Sequence, residues 1–278
     1  MTINTLYFDT VDSTNLEARR MIASADPRLR EPFLIVASEQ TAGRGRQGKK
    51  FFSPKGTGIY MTIILPADEV LSKRMRQTGD SVPDHSDAKG SASSLQVTLT
   101  CRVGVAVSKI LDDMFECSTG IKWVNDIYLH GKKICGILCE AISDADGFPS
   151  HILVGIGINI STTDFPDDIR ETAGSLETIS GKISKEDIRS ISEAVFRSVL
   201  EHLKPDYDPI NDYKNRSIVL GNDVSFTEGG ITRSARAVDI DEKGGLVVIT
   251  DDTGEMITLS SGEITLRLAP ARSTCKHS

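Results

Sequence analysis

The chain predicts an α+β fold, and three observations carry that prediction. Consecutive β-rich runs between residues 121 and 160 are joined by short turns, which makes them antiparallel neighbours. Two long segments, 95–115 and 185–203, repeat apolar residues at spacings of three and four and read as helices. Beyond about Arg216, short strands alternate with Gly-containing turns, the texture of a small closed β-barrel. Together they divide the chain into 1–216 and 217–270.

Residues 3–8 alternate as a strand, and Asp12, Ser13, Thr14 and Asn15 then offer oxygens to cap a helix carrying Leu16, Arg20 and Ile22. Residues 33–37 form a short apolar strand and 58–65 a β-branched run bounded by Gly58 and Pro66. Between them lies Gly43-Arg44-Gly45-Arg46-Gln47-Gly48. Residues 67–93 turn polar around Gly79-Asp80, Pro83-Asp84 and Lys89-Gly90, predicting a mobile insertion. In the helix at 95–115, Leu99, Val103, Ala106, Val107, Ile110 and Met114 share a face. Runs at 121–129 and 133–142 flank the hairpin signal His130-Gly131-Lys132, and a third strand follows at 151–160. Ile188, Ile191, Val195, Val199 and Leu203 stripe the helix at 185–203, and 209–216 adds a turn or two more.

Composition narrows the function classes. With 278 residues, 39% hydrophobic and 26% charged, the chain can bury one large core and a satellite. A net charge of −7 and a pI near 5.3 disfavour a nucleic-acid partner, which needs clustered Lys and Arg. Neither a signal peptide nor a run of ~20 apolar residues is visible, so a cytoplasmic location and no membrane partner are expected. Five cysteines without a CxxC pair read as reduced thiols, with Cys135 and Cys139 as small buried hydrophobes. The histidines are scattered, and no metal-ligand set is predicted.

Four motifs stand out from this background. In GRGRQG, Gly43, Gly45 and Gly48 permit close ligand approach, while Arg44 and Arg46 carry planar donor forks suited to carboxylate and phosphate. A flexible basic RNA-binding loop is the bland alternative. Lys122-Trp123-Val124-Asn125-Asp126 reads as the polar end of an apolar strand, with Lys122, Val124 and Asp126 on one face unless a bulge intervenes; a solvated edge pair explains it equally well. Lys132-Lys133 enters the core beside Gly136, where two lysines at a hairpin are ordinarily solvated. Gly155-Ile156-Gly157-Ile158-Asn159 alternates Gly with β-branched residues, so something must pack on the bare face. The missing third glycine rules out a dinucleotide fingerprint.

Taken jointly, Ser13-Thr14-Asn15, Gln40, GRGRQG, Phe52-Ser53-Pro54, KWVND, GKKICGIL from Gly131 and GIGIN from Gly155 resemble, in order and spacing, the catalytic region of biotin protein ligases. The resemblance implies a mixed, mostly antiparallel sheet flanked by helices, like that of class II aminoacyl-tRNA synthetases, followed by an SH3-like barrel. With twelve residues before Ser13, the chain reads as the monofunctional type lacking an N-terminal DNA-binding domain. The implied activity is adenylation of biotin by ATP with Mg2+, then transfer to a lysine of a biotin carboxyl carrier domain; the resemblance also allows a homodimer.

It further implies that biotin meets Ser13, Thr14, Asn15, Gln40, Arg44, Gly45 and Arg46, that Gly136 and Gly155 leave it space, and that Lys133 meets its carboxylate. Arg44, Arg46, Phe51, Lys122, Asn125, Asp126 and Asn159 would arrange ATP. Catalysis would fall to Lys133, Arg44, Arg46 and Asp126, the last either acting on the incoming lysine or holding structure. The glycine-rich loop would close over the intermediate. Val124, Cys135 and Phe51 depart from the residues more common in the family, and none removes a charge. Alternatives are a lipoate or octanoate ligase and a non-catalytic biotin-sensing or RNA-binding module.

Overall fold

A computed structural model describes residues 3–67, 88–146, 148–176, 185–228, 231–260 and 267–268. Strand β1 (Asn4–Phe8) leads into helix α1 (Thr14–Ala23), β2 (Phe33–Ala37) and β3 (Gly58–Pro66). Helix α2 spans Ala88–Phe115 and is followed by β4 (Gly120–Lys122), β5 (Asp126–Leu129), β6 (Lys132–Ser143) and β7 (Pro149–Asn159). Helices α3 (Lys185–His202) and α4 (Pro209–Arg216) precede β8 (Asp223–Glu228), β9 (Ile231–Ile240), β10 (Leu246–Thr250), β11 (Met256–Leu259) and β12 (Arg267–Leu268). The first seven strands form one mixed sheet, ordered β1-β2-β3-β7-β6-β5-β4, parallel only between β1 and β2. No helix among the described residues is long and apolar enough to cross a membrane.

The pleat of this sheet decides where the site can be. In β6, Cys135, Ile137 and Cys139 point into the main core, with Val154, Ile156 and Ile158 from β7 and Met61 and Ile63 from β3. Helices α2 and α3 cover that face through Leu99, Val103, Val107, Ile191, Val195 and Val199. Each fully buried Val, Leu or Ile contributes about 1.5–3 kcal/mol, so this face is closed by its own packing. The alternate residues Thr62, Gly136, Leu138, Glu140, Gly155 and Gly157 point to the opposite face. Helix α1 covers only one end of it, seating Ala18 and Met21 against Phe33, Ile35, Ile64 and Leu153. The rest of that face is left for a ligand.

Most expected elements are present, with two differences. Helix α2 begins at Ala88, inside the stretch expected to be insertion; residues 68–87 of that stretch lie outside the described residues. The run at 121–129 is two antiparallel strands, β4 and β5, with Lys122 paired to Asp126 across a three-residue turn. The C-terminal strands form an antiparallel sheet ordered β11-β10-β9-β8-β12; closing it into a barrel requires β11 to meet β12, a pairing not found among the described residues.

This second sheet packs directly on the first unit. Val224, Phe226, Ala235, Ala237, Leu246 and Val248 share one apolar cluster with Val97, Cys101 and Val105 of α2, Tyr213 of α4, and Trp123 and Val124 of the β4–β5 turn. The turn therefore belongs to both units. Cys101, Cys135 and Cys139 are buried, and the described cysteines are free thiols.

Candidate functional site

A cavity of about 790 Å³ opens on the uncovered face of the seven-stranded sheet. Every site residue expected from the sequence lines it except Asn159. Asn159 is buried behind the site, donating from Nδ2 to Gly174 O at 3.0 Å, and its Oδ1 has no partner. The end of β7 faces the 161–176 segment there, rather than the cavity.

One end of the cavity is neutral and closely bonded. Thr14 donates from its backbone N to Gln40 Oε1 at 2.9 Å, and Gln40 Nε2 donates to Ser53 Oγ at 3.0 Å. Ser53 Oγ in turn donates to Phe51 O at 3.0 Å. Thr62 Oγ1 lies 2.8 Å from Thr14 Oγ1 and 2.5 Å from Asn15 Oδ1, and Asn15 Nδ2 donates to Glu140 Oε2 at 2.8 Å. Ser13 occupies the N-cap position of α1 without a side-chain capping bond, so its hydroxyl is not engaged as the cap expected from sequence.

The two glycines of β7 line the cavity and also admit neighbouring protein side chains. A Cβ on Gly155 would sit 2.5 Å from Asn15 Oδ1, and one on Gly157 would overlap the Phe51 ring. The bare face of GIGIN is thus filled by two of the protein's own side chains. Phe51 also lies over Gly136, where a Cβ would be 3.1 Å from the ring and 3.3 Å from Lys133 Cε.

The other end is charged. Lys133 Nζ is 2.7 Å from Asp126 Oδ1; both side chains are partly exposed, while Oδ1 itself is buried. Arg46 NH1 donates to Asn125 Oδ1 at 3.1 Å, and Asn125 Nδ2 donates to Ile137 O at 2.9 Å. Burial lowers the Arg46 guanidinium from its ordinary range, opposed by the Asp126 carboxylate. Removing a cation from water favours any anion that arrives beside it. Lys122 Nζ sits 5.6 Å from the centre of the Tyr128 ring, and burial, aided by Asp126, pushes the Tyr128 hydroxyl up to about 12. Arg44 is exposed at the mouth.

Two local structures bring these groups together. Residues 43–50 form a drawn-in turn, closed by Gly45 N donating to Lys49 O at 2.7 Å and Phe51 N to Gly43 O at 3.0 Å. Gln47 and Gly48 have φ of 54° and 74°; Gly48 accepts that left-handed conformation without strain, whereas Gln47 adopts it as a non-glycine residue. KWVND, expected as a strand end, is instead the β4–β5 turn. Its Trp123 indole donates to Gly244 O at 2.8 Å, and Tyr213 donates to Val124 O at 3.0 Å. Those two bonds turn the apolar members toward the second sheet and leave Lys122, Asn125 and Asp126 on the cavity side.

Sequence reasoning missed the segment over the Lys133 edge. Lys133 N donates to Thr172 O at 2.8 Å, Gly174 N to Lys133 O at 2.9 Å, and Lys132 Nζ to Glu171 O. Asp168, Ile169, Glu171 and Thr172 thereby join the lining, as does Tyr128. The only signal was the small-residue run Thr172-Ala173-Gly174-Ser175, which lets a chain lie close against a strand. Among the described residues no group of three His, Cys, Asp or Glu could hold a metal ion.

Comparison with known proteins bears on this geometry. A family model described as the biotin/lipoate A/B protein ligase family matches residues 7–77 and 82–159, and one described as the biotin protein ligase C-terminal domain matches 219–267. A bifunctional ligase/repressor BirA from Bacillus spizizenii is 31% identical over 255 residues, covering 89% of this chain and 70% of its own. A biotin–[acetyl-CoA-carboxylase] ligase from Mycobacterium tuberculosis is 26% identical over 239 residues, covering 83% and 77%. A solved biotin protein ligase from Aquifex aeolicus in complex with biotin and ATP aligns with a TM-score of 0.71 at 26% identity, covering 96% of this chain and 99% of its own.

Proposed function

The chain belongs to the biotin/lipoate A/B protein ligase family, and from that premise we propose how its residues divide the work of an ATP-dependent biotin protein ligase. The enzyme adenylates biotin to biotinyl-5′-AMP and passes the biotinyl group to a lysine of a biotin carboxyl carrier domain. The match of 219–267 to a domain of biotin protein ligases favours biotin over lipoate. The observation that carries the residue assignment is one cavity with a neutral bonded end and a cationic end. A rigid ureido head requires the first, and a carboxylate meeting a triphosphate requires the second.

In the first step a biotin carboxylate oxygen attacks the α-phosphorus, the bond to the bridging oxygen of pyrophosphate breaks, and the mixed anhydride remains. Negative charge grows on the α-phosphate oxygens as this happens. Lys133 and Arg46, held by Asp126 and Asn125 before substrate arrives, support a role in stabilising that charge, because preorganised cations do not have to reorient during the reaction. Arg44 at the mouth meets the phosphates, and Phe51 and Lys122 flank the nucleotide. Asn159 would act on the nucleotide only by holding the 161–176 segment. Ser13, Thr14, Asn15, Gln40 and Gly45 are assigned to biotin.

In the second step the carrier lysine amine attacks the anhydride carbonyl, AMP leaves, and the amine loses a proton. Asp126 is the nearest carboxylate to Lys133 and is assigned to receive or direct that proton. Mg2+ suits a site with few protein oxygens, where phosphate and water would complete its shell; the second oxygen of Asp126 would be the protein donor, since Asn125 Oδ1 is taken by Arg46, and the ion would neutralise phosphate charge. The reduced, buried cysteines and the ATP requirement fit a cytoplasmic enzyme. The net charge of −7 fits a protein rather than a nucleic-acid partner. We assign residues 1–216 to catalysis and 217–270 to the second domain, and carry forward a homodimer, which sedimentation equilibrium tests.

Pyrophosphate exchange into ATP is expected with biotin and not with lipoate or octanoate. Exchange driven by lipoate alone would overturn the substrate assignment.

A further inference from the structure

Resting on the biotin assignment above, we infer that Glu140 and Thr62 are positioning residues that set the hydrogen-bond polarity of the biotin pocket wall. Neither touches the cavity.

Glu140 lies on β6 and Thr62 on β3, both facing the same side of the sheet, with Gly155 of β7 paired to Thr62 on one flank and to Leu138 on the other. Asn15 is pressed into the hollow these residues make, 4% exposed, over the bare backbone of Gly155. A carboxylate can only accept, so Glu140 Oε2 requires Asn15 to present Nδ2 at 2.8 Å. That fixes Asn15 Oδ1 toward Thr62 at 2.5 Å. An amide oxygen carries no proton, so the single Thr62 proton is donated there.

The consequence reaches the pocket wall. Having given its proton to Asn15, the fully buried Thr62 is an acceptor for Thr14 Oγ1 at 2.8 Å, and Gln40 Oε1 is a second acceptor for the same Thr14 proton at 3.2 Å. The Thr14 hydroxyl proton is spent on a protein acceptor in either case, and Thr14 Oγ1 presents lone pairs to the cavity. Arg19 holds Glu140 from behind, its NH2 donating to Oε1 at 2.9 Å, so both carboxylate oxygens are engaged as acceptors. At the other end of the wall Ser53 gives its proton to Phe51 O, another group that only accepts. Both ends of the network are therefore anchored by obligate acceptors, and the wall offers an acceptor where a ureido N–H would donate.

Two near-isosteric variants test this. Glu140→Gln restores a donor behind Asn15 and lets its amide turn over; Thr62→Val removes the relay without changing volume. In pyrophosphate exchange, each is expected to raise the biotin KM about tenfold, the size of one mispaired neutral hydrogen bond, with the ATP KM and kcat within about twofold of wild type. The double variant is expected to be no worse than the more affected single one, because both break the same relay. Unchanged biotin KM in both variants overturns the inference, and so does a parallel rise in both KM values, which would mark general loosening. A wild-type protein that shows no exchange with biotin overturns the ligase reading itself, and this inference with it.

Discussion

At the residue scale, Lys133 is the side chain on which most converges. Its ammonium is 2.7 Å from Asp126 and its backbone is paired to the 161–176 segment on both sides. The backbone bonds survive truncation of the side chain, and an ion pair that still reaches solvent contributes little to stability. Lys133→Ala is therefore expected to melt within a few degrees of wild type while biotin-dependent pyrophosphate exchange falls by roughly 10²–10³, the loss typical of one preorganised electrostatic donor. Calorimetry and exchange on the same preparation check both halves, and retained turnover would remove Lys133 from the chemistry. Gly155 shows the opposite case, where the sequence pattern announced a missing side chain and the occupant of the space, Asn15, lay 140 positions away.

At the element scale, the loop at 43–50 forms a turn whose tip, from Gln47 to Lys50, is exposed. Arg46 ties it to the sheet through Asn125. Anions bound between Arg44, Arg46 and Lys133 would add ties, so trypsin cleavage after Arg44 and Lys49 is expected to slow severalfold with biotin and ATP present. Equal cleavage with and without the ligands would deny the loop a closing role. The elements themselves were largely legible: apolar spacing located α2 and α3, and His130-Gly131, with φ of 48° and 76°, gave the β5–β6 hairpin its signal. The start of α2 was not, because Ala88 to Ser94 is polar and small, and no apolar period marks it. KWVND was misread as a strand end because alternation fits a five-residue stretch either way; only the partners of Trp123 and Val124, far along the chain, distinguish a turn. The 161–176 segment was invisible for the same reason, being ordered by backbone bonds to β6 and β7 that carry no residue signature.

At the scale of the whole molecule, the seam between the two sheets runs through the site. Trp123→Phe keeps the apolar bulk but strands Gly244 O in a buried place, at a cost of about 1–3 kcal/mol. Because the same turn carries Asn125 and Asp126, the variant is expected to lower kcat/KM for ATP while biotin affinity holds, and urea denaturation with steady-state kinetics reads both. Loss of biotin affinity to the same degree would show the turn serving the pocket as a whole. The seam also has a meaning in the order of synthesis. Trp123 and its partner at Gly244 are 121 residues apart, which at a ribosome's pace of about 5–20 residues per second is roughly 6–24 s of elongation. Early in that interval the nascent chain completes Lys133, the last catalytic side chain assigned above, yet until Gly244 is made it lacks the surface that seats Trp123 and Val124, so the turn that carries Asn125 and Asp126 is expected to settle only after that.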